Sequence, residues 1–193
     1  MPDARIAATF RHTAANLETI GDGPYSEAVA RAVDLLQQAL TRDGKLLIFG
    51  NGGSSADSQH IAAELVGRFI VHRKPLHAVA LGTNTALMTA WSNDDRFDDV
   101  FARELEALGR AGDVAWGIST SGNSANVVAA LRRAREVGLK TIGLTGRGGG
   151  RMAEYCDVLL AVPLTETPRI QEVHLVTYHA ICAALEERLF GRG

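Results

Sequence analysis

KLLIFGNGGSSADSQHIAAELVGRF, residues 45–69, changes its pattern twice within twenty-five positions. Leu46 to Phe49 is a continuous apolar run, which suits a strand covered on both faces. Asn51-Gly52-Gly53 then breaks the run, and Ser54 and Ser55 open a segment with helical spacing. On that segment His60 and Glu64 stand at i and i+4, so they share one face of a helix. A strand that gives way to glycines and then a helix is the opening half of a strand–helix–strand unit.

The same alternation continues downstream. Further strand candidates are HAVAL (77–81), DVAWGIS (113–119), LKTIGL (139–144) and DVLLAV (157–162), beside KLLIFG (45–50). Between them lie helix-like stretches at 54–68, 84–108 and 123–137, and a short piece near 150–155. A long last helix is expected from about Pro168 to Leu189, with Thr167 as its cap and Pro168 at its first position. Upstream, residues 3–20 and 25–42 read as two amphipathic helices parted by GDGP. Alternating strands and helices predict an α/β fold with a mostly parallel sheet. On such sheets ligands sit beyond the carboxyl ends of the strands.

Composition narrows the function classes. The chain has 193 residues, 46% of them hydrophobic, and a formal net charge of −2. That balance carries no basic footprint for nucleic acid. Cys156 and Cys182 are the only cysteines and form no CxxC pair, which fits a reducing compartment better than a disulfide framework. The N-terminal stretch mixes charged and apolar residues, unlike a signal peptide, and no apolar run is long enough to span a membrane.

Two loops at strand ends draw the functional reading. Asn51-Gly52-Gly53-Ser54-Ser55 lets backbone N–H groups approach a ligand at a helix start. It is neither GxGxxG nor a GxxxxGK[ST] loop, which disfavours dinucleotides and nucleoside triphosphates. By itself it is equally well a plain strand-to-helix turn. The second loop is stronger: Ser119, Thr120, Ser121 and Ser124 surround Gly122 at another helix start. A serine cap needs one hydroxyl, whereas four hydroxyls at a helix N-terminus suit a phosphate monoester.

The last helix carries Gln171, Glu172, His174 and His179. Gln171 and His179 are two turns apart and about 80° apart on the helical wheel, so both can face one broad pocket. His60 and Glu64 can hold a metal or divide acid and base work, or they can be a surface pair contributing a few tenths of a kcal/mol. His174 is read as an ordinary buried or surface histidine.

GNGGSSADSQHIAAELVGRF, SND (92–94), GDVAWGISTSGNSANVVAAL, GLTGRGGGRMAEYCD and RIQEVHLVTYHAI together resemble the phosphoheptose isomerases of the sugar isomerase (SIS) superfamily, in order and over nearly the whole chain. The resemblance implies a single SIS domain over residues 1–193: a five-stranded parallel sheet flanked by helices. Residues 1–43 would be a helical extension used in packing a homotetramer with sites between subunits. It implies a cytoplasmic aldose–ketose isomerase that converts sedoheptulose 7-phosphate to D-glycero-D-manno-heptose 7-phosphate, the first step towards nucleotide-heptose for surface polysaccharide. Asn51, Gly52, Gly53, Asn93, Asp94, Ser119, Thr120, Ser121 and Ser124 would bind substrate. His60, Glu64, Gln171 and His179 would hold one zinc per subunit, with Glu64 and Gln171 also touching substrate. Glu64 would be the base and His179 the acid.

Three rival readings remain. One is a non-catalytic SIS protein that binds the bacterial replication initiator; such relatives lack the acid–base pair that Glu64 and His179 supply here. Another is the sugar-phosphate-sensing domain of a transcription regulator, disfavoured because the N-terminal helices lack the basic face expected of a DNA-binding segment. The third is an isomerase of another phosphosugar, because pocket shape rather than motif reads the length of the sugar.

Overall fold

The computed structural model describes residues 4–191. Seven α-helices and five strands alternate along it: α1 (Ala4–Gly21), α2 (Pro24–Leu40), β1 (Leu46–Gly50), α3 (Gly53–Val66), β2 (Ala78–Ala80), α4 (Thr85–Asp94), α5 (Val100–Leu108), β3 (Val114–Ser119), α6 (Ala125–Glu136), β4 (Lys140–Thr145), β5 (Val158–Ala161) and α7 (Thr167–Phe190). All strand pairs are parallel, in the order β2-β1-β3-β4-β5. The expected sheet is therefore present. Every residue of β1 and β3 is buried, as their unbroken apolar runs require, while the edge strand β2 is only partly covered.

Helices cover both faces. Leu46, Ile48, Val114, Trp116, Ile118, Ile142 and Leu144 point to one layer, where they meet buried residues of α2, α3 and α7. Leu47, Phe49 and Ala115 point to the other, against α5 and α6. This alternation of side is the period-2 geometry of a strand applied to residues that are apolar at every position. α2 belongs to the core, burying Ala28, Ala32, Val33, Leu36 and Ala39, whereas α1 buries Ile20 alone.

Two local expectations change. The helix-like stretch 84–108 is broken: α4 stops at Asp94, a 3₁₀ turn spans Phe97–Asp99, and α5 resumes at Val100. Ser92, Asn93, Asp94 and Asp95 are weak helix formers that compete for backbone hydrogen bonds, and the Ser92 hydroxyl donates back to the Met88 carbonyl at 2.6 Å. The cap of α7 is Glu166 and not Thr167, which is already helical; no side chain caps this end. Pro168 still occupies the first turn, where its missing N–H costs nothing.

Candidate active site

The strand order reverses between β1 and β3, because β2 lies outside β1 and β4 lies outside β3. Loops after these two strands bound the crevice in which open α/β sheets bind ligands. They are the two Gly/Ser loops of the sequence. A reciprocal amide pair joins them at the base: Asn51 Nδ2 donates to Asn126 Oδ1 at 2.8 Å, and Asn126 Nδ2 donates to Asn51 Oδ1 at 2.9 Å. Asn126 is buried on α6 and also accepts from the Val127 N–H. Sequence reading missed it, although it lies two residues past Ser124 in the motif.

The serine loop does not behave as a helix cap. Ser124 stands at the N-cap of α6 but makes no side-chain capping bond; its hydroxyl lies 2.9 Å from Ser119 Oγ, which in turn is 3.4 Å from Ser121 Oγ. Three hydroxyls thus gather at the positive end of α6, where negative charge is favoured. Their backbone is braced from behind. Gly146 N–H donates to Thr120 O, Met152 N–H to Gly122 O and Arg151 N–H to Asn123 Oδ1. Gly122 has φ +66°, and a Cβ there would strike the carbonyl of Gly149, so only glycine fits.

The glycine loop meets the last helix. Gly52 adopts φ +55° just before α3, and the Gln171 amide reaches so near that a Cβ on Gly53 would stand 2.8 Å from its Nε2. Asn93 and Asp94 are different. They lie exposed at the end of α4, where Asn93 Nδ2 donates to Asp94 Oδ1 at 2.8 Å; among the described residues no hydrogen bond joins either to the two loops.

α3 and α7 bring His60, Glu64 and His179 together within one chain. Their ligand atoms lie within 4.8 Å of one another. His60 Nε2 is 3.1 Å from Glu64 Oε1, and the His60 and His179 ring centroids are 5.2 Å apart. Two imidazoles and a carboxylate at this spacing suit a borderline-soft divalent ion such as zinc. Phe69 packs on His179 at 5.3 Å and Tyr178 packs edge-on to both rings. The Tyr178 hydroxyl is 3.1 Å from His60 Nδ1 and 3.4 Å from Asp57 Oδ1. Burial pushes the Asp57 carboxyl up, with the Tyr178 hydrogen bond and His60 opposing it. Neither Asp57 nor Tyr178 stands out in the sequence, though Asp57 precedes His60 by one helical turn.

A buried ion pair ties α7 to the segment that follows α3. The Glu186 carboxylate accepts the N–H groups of Phe69, Ile70 and Val71 and the Arg73 Nε, all at 2.8–2.9 Å. Arg73 also donates to the carbonyls of Glu64 and Leu65 at 2.8 Å, closing the C-terminal end of α3. Burial raises the Glu186 carboxyl, but its four donors prevail and hold it below the usual carboxylate range. Glu172 is engaged elsewhere, accepting from Thr13 and Arg169. His174 is fully buried in the core, as the bland reading allowed. Burial pushes both cysteine thiols up to about 12, which disfavours the thiolate form.

The SIS domain family model matches residues 10–146. The phosphoheptose isomerase of Crocosphaera subtropica is 50% identical over 183 residues, covering 95% of this chain and 93% of that protein. The phosphoheptose isomerase of Geotalea daltonii is 53% identical over 175 residues, 91% of each chain. The chain belongs to the phosphoheptose isomerases. A solved phosphoheptose isomerase from Neisseria gonorrhoeae superposes with a TM-score of 0.90 at 45% identity, covering 97% of this chain and all of that one. As in the sequence of this phosphoheptose isomerase, no helix among the described residues is long and apolar enough to cross a membrane.

Proposed function

We propose that the chain interconverts sedoheptulose 7-phosphate and D-glycero-D-manno-heptose 7-phosphate in the cytoplasm, at the entry to nucleotide-heptose synthesis for surface polysaccharide. The observation that carries this reading is the meeting of His60, Glu64 and His179 beside two Gly/Ser loops, in a chain half identical to proteins named phosphoheptose isomerase. The phosphate is held by Ser119, Thr120, Ser121 and Ser124 at the start of α6. Asn51, Gly52, Gly53 and Gln171 line the sugar, and Asn93 and Asp94 join it from the end of α4.

The reaction moves one proton between neighbouring carbons and is redox-neutral overall. Glu64 takes the proton from C1 of the ketose, the electron pair forms the C1–C2 double bond, and His179 gives a proton to the C2 oxygen. Glu64 then returns its proton to C2, which takes it up with the C1–C2 electron pair, while His179 accepts the O1 proton and the C1–O1 double bond of the aldehyde forms. His60, Glu64, Gln171 and His179 would hold one zinc. Bound there, the ion supplies Lewis-acid stabilisation of charge on the sugar oxygens. A carboxylate has two oxygens and an imidazole two nitrogens, so Glu64 and His179 each have one atom for the ion and another for a proton.

The protein is proposed to act as a homotetramer, with α1 providing contact between subunits. The presence of Glu64 and His179 in one cluster favours an enzyme over a non-catalytic SIS protein. Purified protein should form the aldose from sedoheptulose 7-phosphate with little inhibition by fructose 6-phosphate. Glu64→Gln should lower kcat by about two to four orders of magnitude, the range for a lost general base, while circular dichroism stays unchanged. A variant with wild-type kcat removes Glu64 from the chemistry; preference for fructose 6-phosphate replaces the heptose with another phosphosugar.

A further inference from the structure

We propose that Tyr178 is a positioning residue: its hydroxyl, set between the Asp57 carboxylate and His60 Nδ1, keeps a proton on His60 Nδ1 and leaves Nε2, the nitrogen beside Glu64, as the atom that binds the ion. The inference rests on the metal reading above. Asp57, as a carboxylate, has only acceptors to offer, so the single phenol proton is directed to it at 3.4 Å. The phenol oxygen then has only lone pairs left for His60 Nδ1 at 3.1 Å, and that nitrogen must be the donor. Nε2, 3.1 Å from Glu64 Oε1, is then the ring nitrogen that gives up its proton when an ion enters between the two side chains. An outer hydrogen bond that fixes tautomer and ring angle is a general requirement of ligating histidines.

The phenol is well suited to hold that geometry. Tyr178 is fully buried, and its ring stands at 71° to His60 and 88° to His179, with centroids 5.4 and 4.9 Å apart. One rigid ring therefore sets the angle of both imidazoles, while its hydroxyl selects the nitrogen. The chain runs from α3 to α7 and back, since Asp57 and His60 lie on α3 and Tyr178 on α7.

The test is zinc affinity of the metal-stripped protein, read by competition with a chromophoric chelator. Tyr178→Phe keeps the ring and removes the hydroxyl; zinc binding should weaken about 10–100-fold, the range for a lost outer-shell partner. Asp57→Ala should weaken it as well, whereas Asp57→Asn, which retains an acceptor, should stay near wild type. Unchanged affinity in Tyr178→Phe overturns the inference. If that variant does not fold, equal affinities of Asp57→Ala and Asp57→Asn overturn it instead. Wild-type protein that takes up no zinc brings down the metal reading and this inference with it, an outcome visible in the wild-type arm alone.

Discussion

Burial holds the His174 imidazole at about 4, against a smaller opposing contribution from its contact with the Thr145 carbonyl. The unfolded chain takes up the proton near pH 6.5, so between there and about pH 4 the unfolded state binds more protons than the folded one. Stability rises with pH across that window, by about 3 kcal/mol in total from a shift of this size. Urea midpoints measured from pH 4 to pH 7 should climb, and His174→Gln should flatten the climb. Gly122 gives a second expectation at this scale. Gly122→Ala forces a side chain into the Gly149 carbonyl at a positive φ, so it should weaken phosphate-ester binding through a raised KM and lower the melting temperature. A wild-type KM in that variant would detach the loop from substrate. The sequence already marks Gly122 by the hydroxyls around it. It leaves His174 undecided, because spacing alone does not distinguish a buried histidine from an exposed one.

At the scale of elements, α3 and α7 are joined by a contact that no sequence motif announces. The Arg73 side chain is 1% exposed and that of Glu186 2%. Removing one partner strands a buried charge, which costs about 3–5 kcal/mol. Arg73→Met and Glu186→Leu should each lose that much in chemical denaturation, and the double variant should lose less than the sum; additive losses would show that the two side chains act independently. The strands and their order of appearance were legible because an apolar run bounded by glycine has few other readings. The interruption of 84–108 was not, since four weak helix formers in a row can fray, kink or end a helix and only packing decides. The gathering of His60, Glu64 and His179 was legible as two separate helical spacings, but their distance in space depends on how α3 crosses α7. That crossing is packed by Ile61 and Leu65 of α3 in one core cluster with Tyr178, Ile181 and Leu185 of α7, and the Arg73–Glu186 pair, 113 residues apart, braces its end.

For the whole molecule, the apolar surface is informative. Ile6 and Phe10, one turn apart on α1, are 58% and 73% exposed, and Leu175 and Val176 of the adjoining α7 are also open. A helix that buries one residue in its own chain has an apolar face left for a partner. Light scattering should report a tetramer, and Phe10→Glu should shift it to smaller species; a fully active wild-type monomer would defeat the assembly reading. Because His60, Glu64 and His179 meet within one chain, mixing Glu64→Gln subunits with His179→Ala subunits should restore no activity. Recovery on mixing would place the two residues of a working site on different chains.

The Glu186 carboxylate also sets an order of events during synthesis. The N–H groups of Phe69, Ile70 and Val71 that it binds leave the ribosome 115–117 residues earlier. Until α7 docks, that segment has lost its acceptor and Arg73 has no counter-charge, so the C-terminal end of α3 stays open. The sheet strands β1 to β4 can pair before this, but His179 joins His60 and Glu64 at the crevice only when the last helix arrives. A nascent chain stalled before residue 186 should therefore be protease-sensitive between Val66 and His77, and the released full-length chain should be protected there.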